Sequence, residues 1–149
     1  MTQAQREIVR LLAFMEQRNQ AAAHLIAHGV WYQPQELPAD VRRMPIKRCF
    51  DNAFRLAERR PDLCYVEGYA FSLLPVEHGW CVDEAGHVID PTWASRSGRH
   101  RMGIGEAYLG IVIPLAAVRR SRVRFGSCSA LFDYRGHFPL VRELTGDLV

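Results

Sequence analysis

Residues 65–92 read YVEGYAFSLLPVEHGWCVDEAGHVIDPT, and the punctuation of this stretch decides the fold class. YVEGYAFSL (65–73) is apolar and aromatic, which predicts a strand. HGWCVD (78–83) and HVID (87–90) flank DEAG, whose Asp and Gly carry turn chemistry, so they predict a tight hairpin. YLGIVIP (108–114) adds a further strand that stops at Pro114.

Toward the N-terminus the pattern turns helical. Thr2 and Gln5 have the spacing of a capping box, and Ile8, Leu11, Leu12, Met15, Ala22, Leu25 and Ile26 recur at helical intervals. They predict one long helix that stops at Gly29. Pro34, Pro38 and Pro45 predict a loop over residues 29–48. From Cys49 to Arg60 the helical pattern returns, with Phe50, Ala53, Phe54 and Ala57 on one face and Pro61 beyond the end. LAAVRRS (115–121) predicts a short helix. Helices lead and strands follow, so the class is α+β, with N-terminal helices packed on a mainly antiparallel sheet. The 149 residues suit a single domain over 1–149.

Composition narrows the function classes. With 48% hydrophobic and 23% charged residues, the chain is neither mainly disordered nor fibrous. No apolar run has the length of a membrane span, so no membrane partner is expected. The start, MTQAQREIVR, lacks the apolar core of a secretion signal, and the expected location is cytoplasmic. Cys49, Cys64, Cys81 and Cys128 include no C-x-x-C pair, which predicts free thiols and no zinc centre. His24 and His28 have i, i+4 spacing but no third ligand nearby. A wider metal set of Cys49, Cys64, Cys81, His78, His87 and Asp90 is broken up because Cys81 should face away from His78 on the same strand. No cofactor is called for.

Residues 91–149 carry 9 basic and 4 acidic groups. The basic groups cluster in SRSGRHRM (95–102) and RRSRVRF (119–125). As a strand, the second run would line Arg120, Arg122 and Arg124 along one face, with Tyr108 and Phe125 as neighbouring aromatics, a pattern compatible with nucleic acid. The modest excess reads better as a solvated face, with Arg99 and Arg101 as a rim that attracts acidic substrates.

Cys49, His78 and Asp90 form the constellation that carries chemistry. A thiol acts as a nucleophile in its thiolate form, which a helix N-terminus favours. Cys49 stands where a loop enters a helix, behind Lys47 and Arg48. In the hairpin, His78 falls opposite or diagonal to Asp90, close enough for the carboxylate to orient the imidazole. A nucleophile, a base and an orienting acid are thereby available.

These pieces resemble a known family. C-F-D-N-A-F-R-L (49–56), V-E-G-Y (66–69), H-G-W-C-V (78–82) and V-I-D-P-T (88–92) are similar, in that order, to the motifs of the transglutaminase-like superfamily. The resemblance implies a papain-like α+β core with Cys49 as nucleophile, His78 as base and Asp90 as orienting acid. It implies a cysteine-dependent acyl-transfer enzyme acting on a protein, peptide or small amide through a thioester. The alternative is an inactive domain of the same fold that binds protein or nucleic acid. The family often has Gly two places before the cysteine, where this chain has Lys47. A calcium requirement is not implied. Such a site needs donors for an oxyanion. The Cys49 backbone N–H is one, and Gln33, Gln35 and Trp31 are candidates for another, with Trp80 a candidate wall of the cleft.

Overall fold

The structure, a computed structural model, describes residues 1–93, 105–126 and 128–146. The segment 95–102, with Arg99 and Arg101, lies outside them, as does the side chain of Phe125.

The N-terminal region forms two helices where one was expected. Helix α1 (Gln3–Met15) opens on the capping box: Gln5 N–H donates to Thr2 Oγ1 over 3.1 Å, and Thr2 N–H donates to Gln5 Oε1 over 2.9 Å. Helix α2 (Gln20–His28) begins afresh at Asn19, whose Oδ1 accepts from Ala22 N–H over 3.0 Å. The polar run Glu16–Asn19 interrupts the apolar spacing, and Asn is more stable as a cap than inside a helix. The loop expected over residues 29–48 also holds a short strand, β1 (Val30–Tyr32). Three residues are too few to show alternation, and β1 is defined by its partner.

The other strands are β2 (Cys64–Phe71), β3 (Pro75–Val82), β4 (Val88–Ile89) and β5 (Ala107–Val112). Their order is β1-β5-β2-β3-β4, and all neighbours run antiparallel. The sheet curls until its edges meet. Gln33 N–H donates to Gly86 O over 3.0 Å, and Val88 N–H donates to Gln33 O over 2.9 Å, a parallel bridge between the chain after β1 and the chain before β4.

Alternation along the strands divides the core in two. Outside the curl, Tyr65, Tyr69, Cys81, Leu109 and Ile111 pack with Ile8, Leu12, Leu25, Ala53 and Phe54 of the helices. Inside it, Val66, Ala70, Trp80, Val82, Val88 and Tyr108 form a second cluster. A Cβ on Gly110 would stand 2.7 Å from Trp80 Cη2, so the indole fits only over a residue without one. Cys81 and Trp80 therefore lie on opposite faces.

The C-terminal region holds α4 (Leu115–Phe125) and α5 (Pro139–Thr145). The short helix expected over residues 115–121 is present and continues to Phe125, so the strand that would have aligned Arg120, Arg122 and Arg124 does not form, consistent with the high helix propensity of Leu, Ala and Arg. Helical geometry disperses the stripe: Arg120 pairs with Glu143 at 3.5 Å, while Arg122 reaches Asp51 at 2.7 Å and lies 4.3 Å over the Phe54 ring. Tyr108 is buried inside the curl, away from any surface for nucleic acid. Residues 129–131 are fastened to the sheet by Glu67, which is fully buried. Its carboxylate accepts from the Tyr65 and Ser129 hydroxyls (2.7 and 2.6 Å) and from Ala130 and Leu131 N–H (both 2.8 Å).

Helix α3 (Cys49–Arg59) lies across β3, and its first turn rests on Gly79. A Cβ there would come within 2.8 Å of Phe50 Cδ1 and 3.2 Å of Phe50 Cα. The ring can turn away but the helix backbone cannot. Gly79→Ala is expected to lower unfolding free energy by about 1–3 kcal/mol in denaturant titration. Unchanged stability would show that the helix start is not seated there.

Candidate active site

Asp90 follows β4 directly. The register Cys81↔Ile89 puts it beside Trp80 and leaves His78 diagonal to it, as the hairpin spacing suggested. Three features make the turn tight: Asp83 Oδ1 accepts from Ala85 N–H and His87 N–H (3.0 and 2.9 Å), and Gly86 takes φ +82°. His78 Nε2 stands 2.8 Å from Asp90 Oδ2, with the two residues 1% and 4% exposed. An ionised carboxylate only accepts, so Nε2 is the donor.

The carboxylate is fully engaged. Oδ2 also accepts from the Tyr108 hydroxyl over 2.8 Å, and Oδ1 accepts from Thr92 and Trp93 N–H over 3.0 and 3.1 Å. Burial raises the Asp90 pKa, but the charge of His78 and these donors hold it below the usual carboxylate range. The Tyr108 hydroxyl is pushed well up by burial and by Asp90, so it remains a donor.

The ring of His78 is held from its faces. Trp93 stacks on it at 3.9 Å between centroids and 22° between planes, and Trp80 lies at 6.1 Å and 21°. With Nε2 occupied, Nδ1 is the ring nitrogen left for Cys49, whose sulfur lies near enough to His78 to shift its protonation. Burial lowers the His78 pKa, but the charge of Asp90, the bond to it and the nearby Cys49 sulfur outweigh it and raise it to about 9. An imidazolium is therefore favoured beside the sulfur at neutral pH.

Cys49 is the first residue of α3 and is partly exposed. Among the described residues no side chain caps this helix end, which leaves its first N–H groups available as donors. Asn52, one turn on, ties the helix to the rest: its Nδ2 donates to Thr92 Oγ1 (2.9 Å) and to Pro45 O (2.6 Å). Lys47 adopts φ +66°, the left-handed conformation natural to glycine, at the position where the resembled family often carries Gly.

The structure thus brings Cys49, His78 and Asp90 together and sets Trp80 beside the ring. Gln33 is exposed and its backbone closes the curl, Gln35 is exposed, and Trp31 pairs with Leu109 and packs against the outer cluster. No hydrogen bond joins these three to the trio among the described residues. Cys64 and Cys128 are free and exposed. Cys81 is buried, and its Sγ donates to Ala53 O over 3.2 Å. The His24 and His28 rings stand 4.7 Å apart on α2, and no three metal-ligating side chains gather among the described residues. No helix among them is long and apolar enough to cross a membrane.

Sequence reading missed Trp93, Tyr108 and Asn52. Trp93 directly follows the D-P-T motif and was within reach of it. Nothing local connects Tyr108 with a carboxylate 18 residues away. No family model matches the chain, and no curated protein or solved structure is found to be similar to it.

Two predictions follow from the geometry. His78 titrates from 6.5 when unfolded and from about 9 when folded, so its stabilisation is complete below pH 6.5 and is lost as pH rises through about 9. Urea titrations should show a decline on the order of 2–3 kcal/mol between those limits, largely abolished by Asp90→Asn. A flat wild-type profile would contradict the buried pair. Lys47→Gly should raise unfolding free energy by about 1 kcal/mol, since it removes the cost of a left-handed lysine. A loss of stability would mean that the lysine side chain is structural.

Proposed function

We propose that this chain is a papain-like, transglutaminase-like cysteine enzyme that transfers acyl groups from amides through a thioester on Cys49. The observation that carries the reading is the buried His78–Asp90 bond of 2.8 Å with Cys49, at the start of α3, acting on the same imidazole. Tyr65 and Phe54 packing a helix against the outside of a curled antiparallel sheet fits the same reading, as does the conformation of Lys47.

In the proposed reaction the Cys49 thiolate attacks the carbonyl carbon and a C–S bond forms. Negative charge moves to the oxygen, which the backbone N–H of Cys49 can meet. His78 gives its Nδ1 proton to the nitrogen, the C–N bond breaks and an amine leaves. Neutral His78 then takes a proton from water or a second amine, which attacks the thioester. The C–S bond breaks, and the thiolate and imidazolium are restored. Asp90 stays ionised throughout and supports the imidazolium, while Trp93 and Tyr108 keep ring and carboxylate in place.

Limited alkylation near pH 6 with mass mapping tests the reading without a substrate. Cys49 should react at least about tenfold faster than Cys64 and Cys128, and Asp90→Asn should erase most of that lead. Equal labelling of the three thiols would count against an active site.

A further inference from the structure

The segment that leads into the nucleophile reads VRRMPIKRC (41–49) and carries four cations and no acid. Arg42, Arg43, Lys47 and Arg48 are all exposed, and none forms an ion pair with a described residue. The carboxylates nearest in sequence are already taken, Asp40 by Arg60 at 3.0 Å and Asp51 by Arg122 at 2.7 Å. The segment is also fixed in place. Val41 is buried, Met44 N–H donates to Pro91 O over 2.9 Å, and Pro45 O accepts from Asn52. Both anchors are neighbours of the triad, since Pro91 follows Asp90 and Asn52 lies one turn beyond Cys49. Four cations without an ion pair to any described residue are therefore held on a tethered strap that leads directly into Cys49.

Clustered exposed charge of one sign, kept on a rigid support, concentrates ligands of opposite sign. Resting on the acyl-transfer reading, we infer that the acyl donor is anionic beside its reacting carbonyl, bearing a carboxylate or phosphate that this strap receives. The selectivity belongs to residues 42–48 and is separable from the chemistry at Cys49, His78 and Asp90.

Iodoacetate and iodoacetamide test this directly, because they differ by one charge and react alike, the sulfur displacing iodide from carbon. The rate ratio of the anionic to the neutral reagent is measured at Cys49 and compared with glutathione as a free thiol. At low salt the ratio at Cys49 should exceed that of glutathione by about tenfold, and roughly 0.5 M salt should remove most of the excess. The triple variant Arg42→Glu, Arg43→Glu, Arg48→Glu should bring the ratio well below wild type. His78 is present in both proteins, so any preference due to the imidazolium cancels. The corresponding triple Gln variant should fall between them, and it decides the matter if the Glu variant does not fold. A ratio indifferent to salt and to these substitutions, with Cys49 still faster than Cys64 and Cys128, would overturn the inference and leave the acyl-transfer reading intact. If Cys49 leads with neither reagent, the acyl-transfer reading fails and this inference falls with it.

Discussion

The rest of the site depends on one buried ion pair, His78 with Asp90. Placing two ionisable groups at 1% and 4% exposure is costly unless nearly every lone pair and proton finds a partner. Asp90 meets that condition through four contacts, from His78, Tyr108, Thr92 and Trp93. The four donors come from three different requirements of the fold. His78 needs the β3–β4 hairpin, Tyr108 needs β5 on the far side of β2, and the two backbone N–H groups need the chain to turn sharply after β4. The curl of the sheet reconciles these demands, because it brings side chains of non-adjacent strands to one interior point. A flat sheet in the same strand order would hold Tyr108 and Asp90 three strand steps apart.

The thiol reaches this pair through contacts between backbone and side chain. Strand β4 ends at Ile89, which leaves the His78–Gly79 part of β3 open for the start of α3. Gly79 lets the helix approach, and Asn52 binds the helix to both the Thr92 turn and the strap at Pro45. Cys49 is thereby placed by three separate segments, while remaining partly open to solvent. That combination, a rigid and buried base with a partly exposed sulfur, is what a nucleophile acting on an external substrate requires.

Much of the trio was legible because its geometry is local. His78 and Asp90 belong to one hairpin whose turn is spelled by DEAG, so the residue spacing nearly fixes their relation. Cys49 was legible from the proline-rich loop changing to helical periodicity. Other features depend on tertiary partners. Strand β1 has three residues and acquires its identity from β5. The break between α1 and α2 was marked by Asn19, but regular apolar spacing on either side concealed it. The Arg run in α4 can be read with period two or as a helix, and packing of Arg122 between Asp51 and Phe54 settles which. Tyr108 reads as one more aromatic strand residue until the sheet curls. Gln33 and Gln35 were chosen for their chemistry alone, and the fold uses the Gln33 backbone instead to close the curl.

The central claim is that Cys49 is an acyl-accepting nucleophile activated by His78 and Asp90. Incubation with an activated ester such as p-nitrophenyl acetate, acid quenching and peptide mass mapping test it most directly. The account predicts acetylation of Cys49 in preference to Cys64 and Cys128, and slower acetylation of the same sulfur in Asp90→Asn despite an intact fold. Acetyl groups distributed by exposure alone, or unchanged labelling of Cys49 in folded Asp90→Asn, would contradict it.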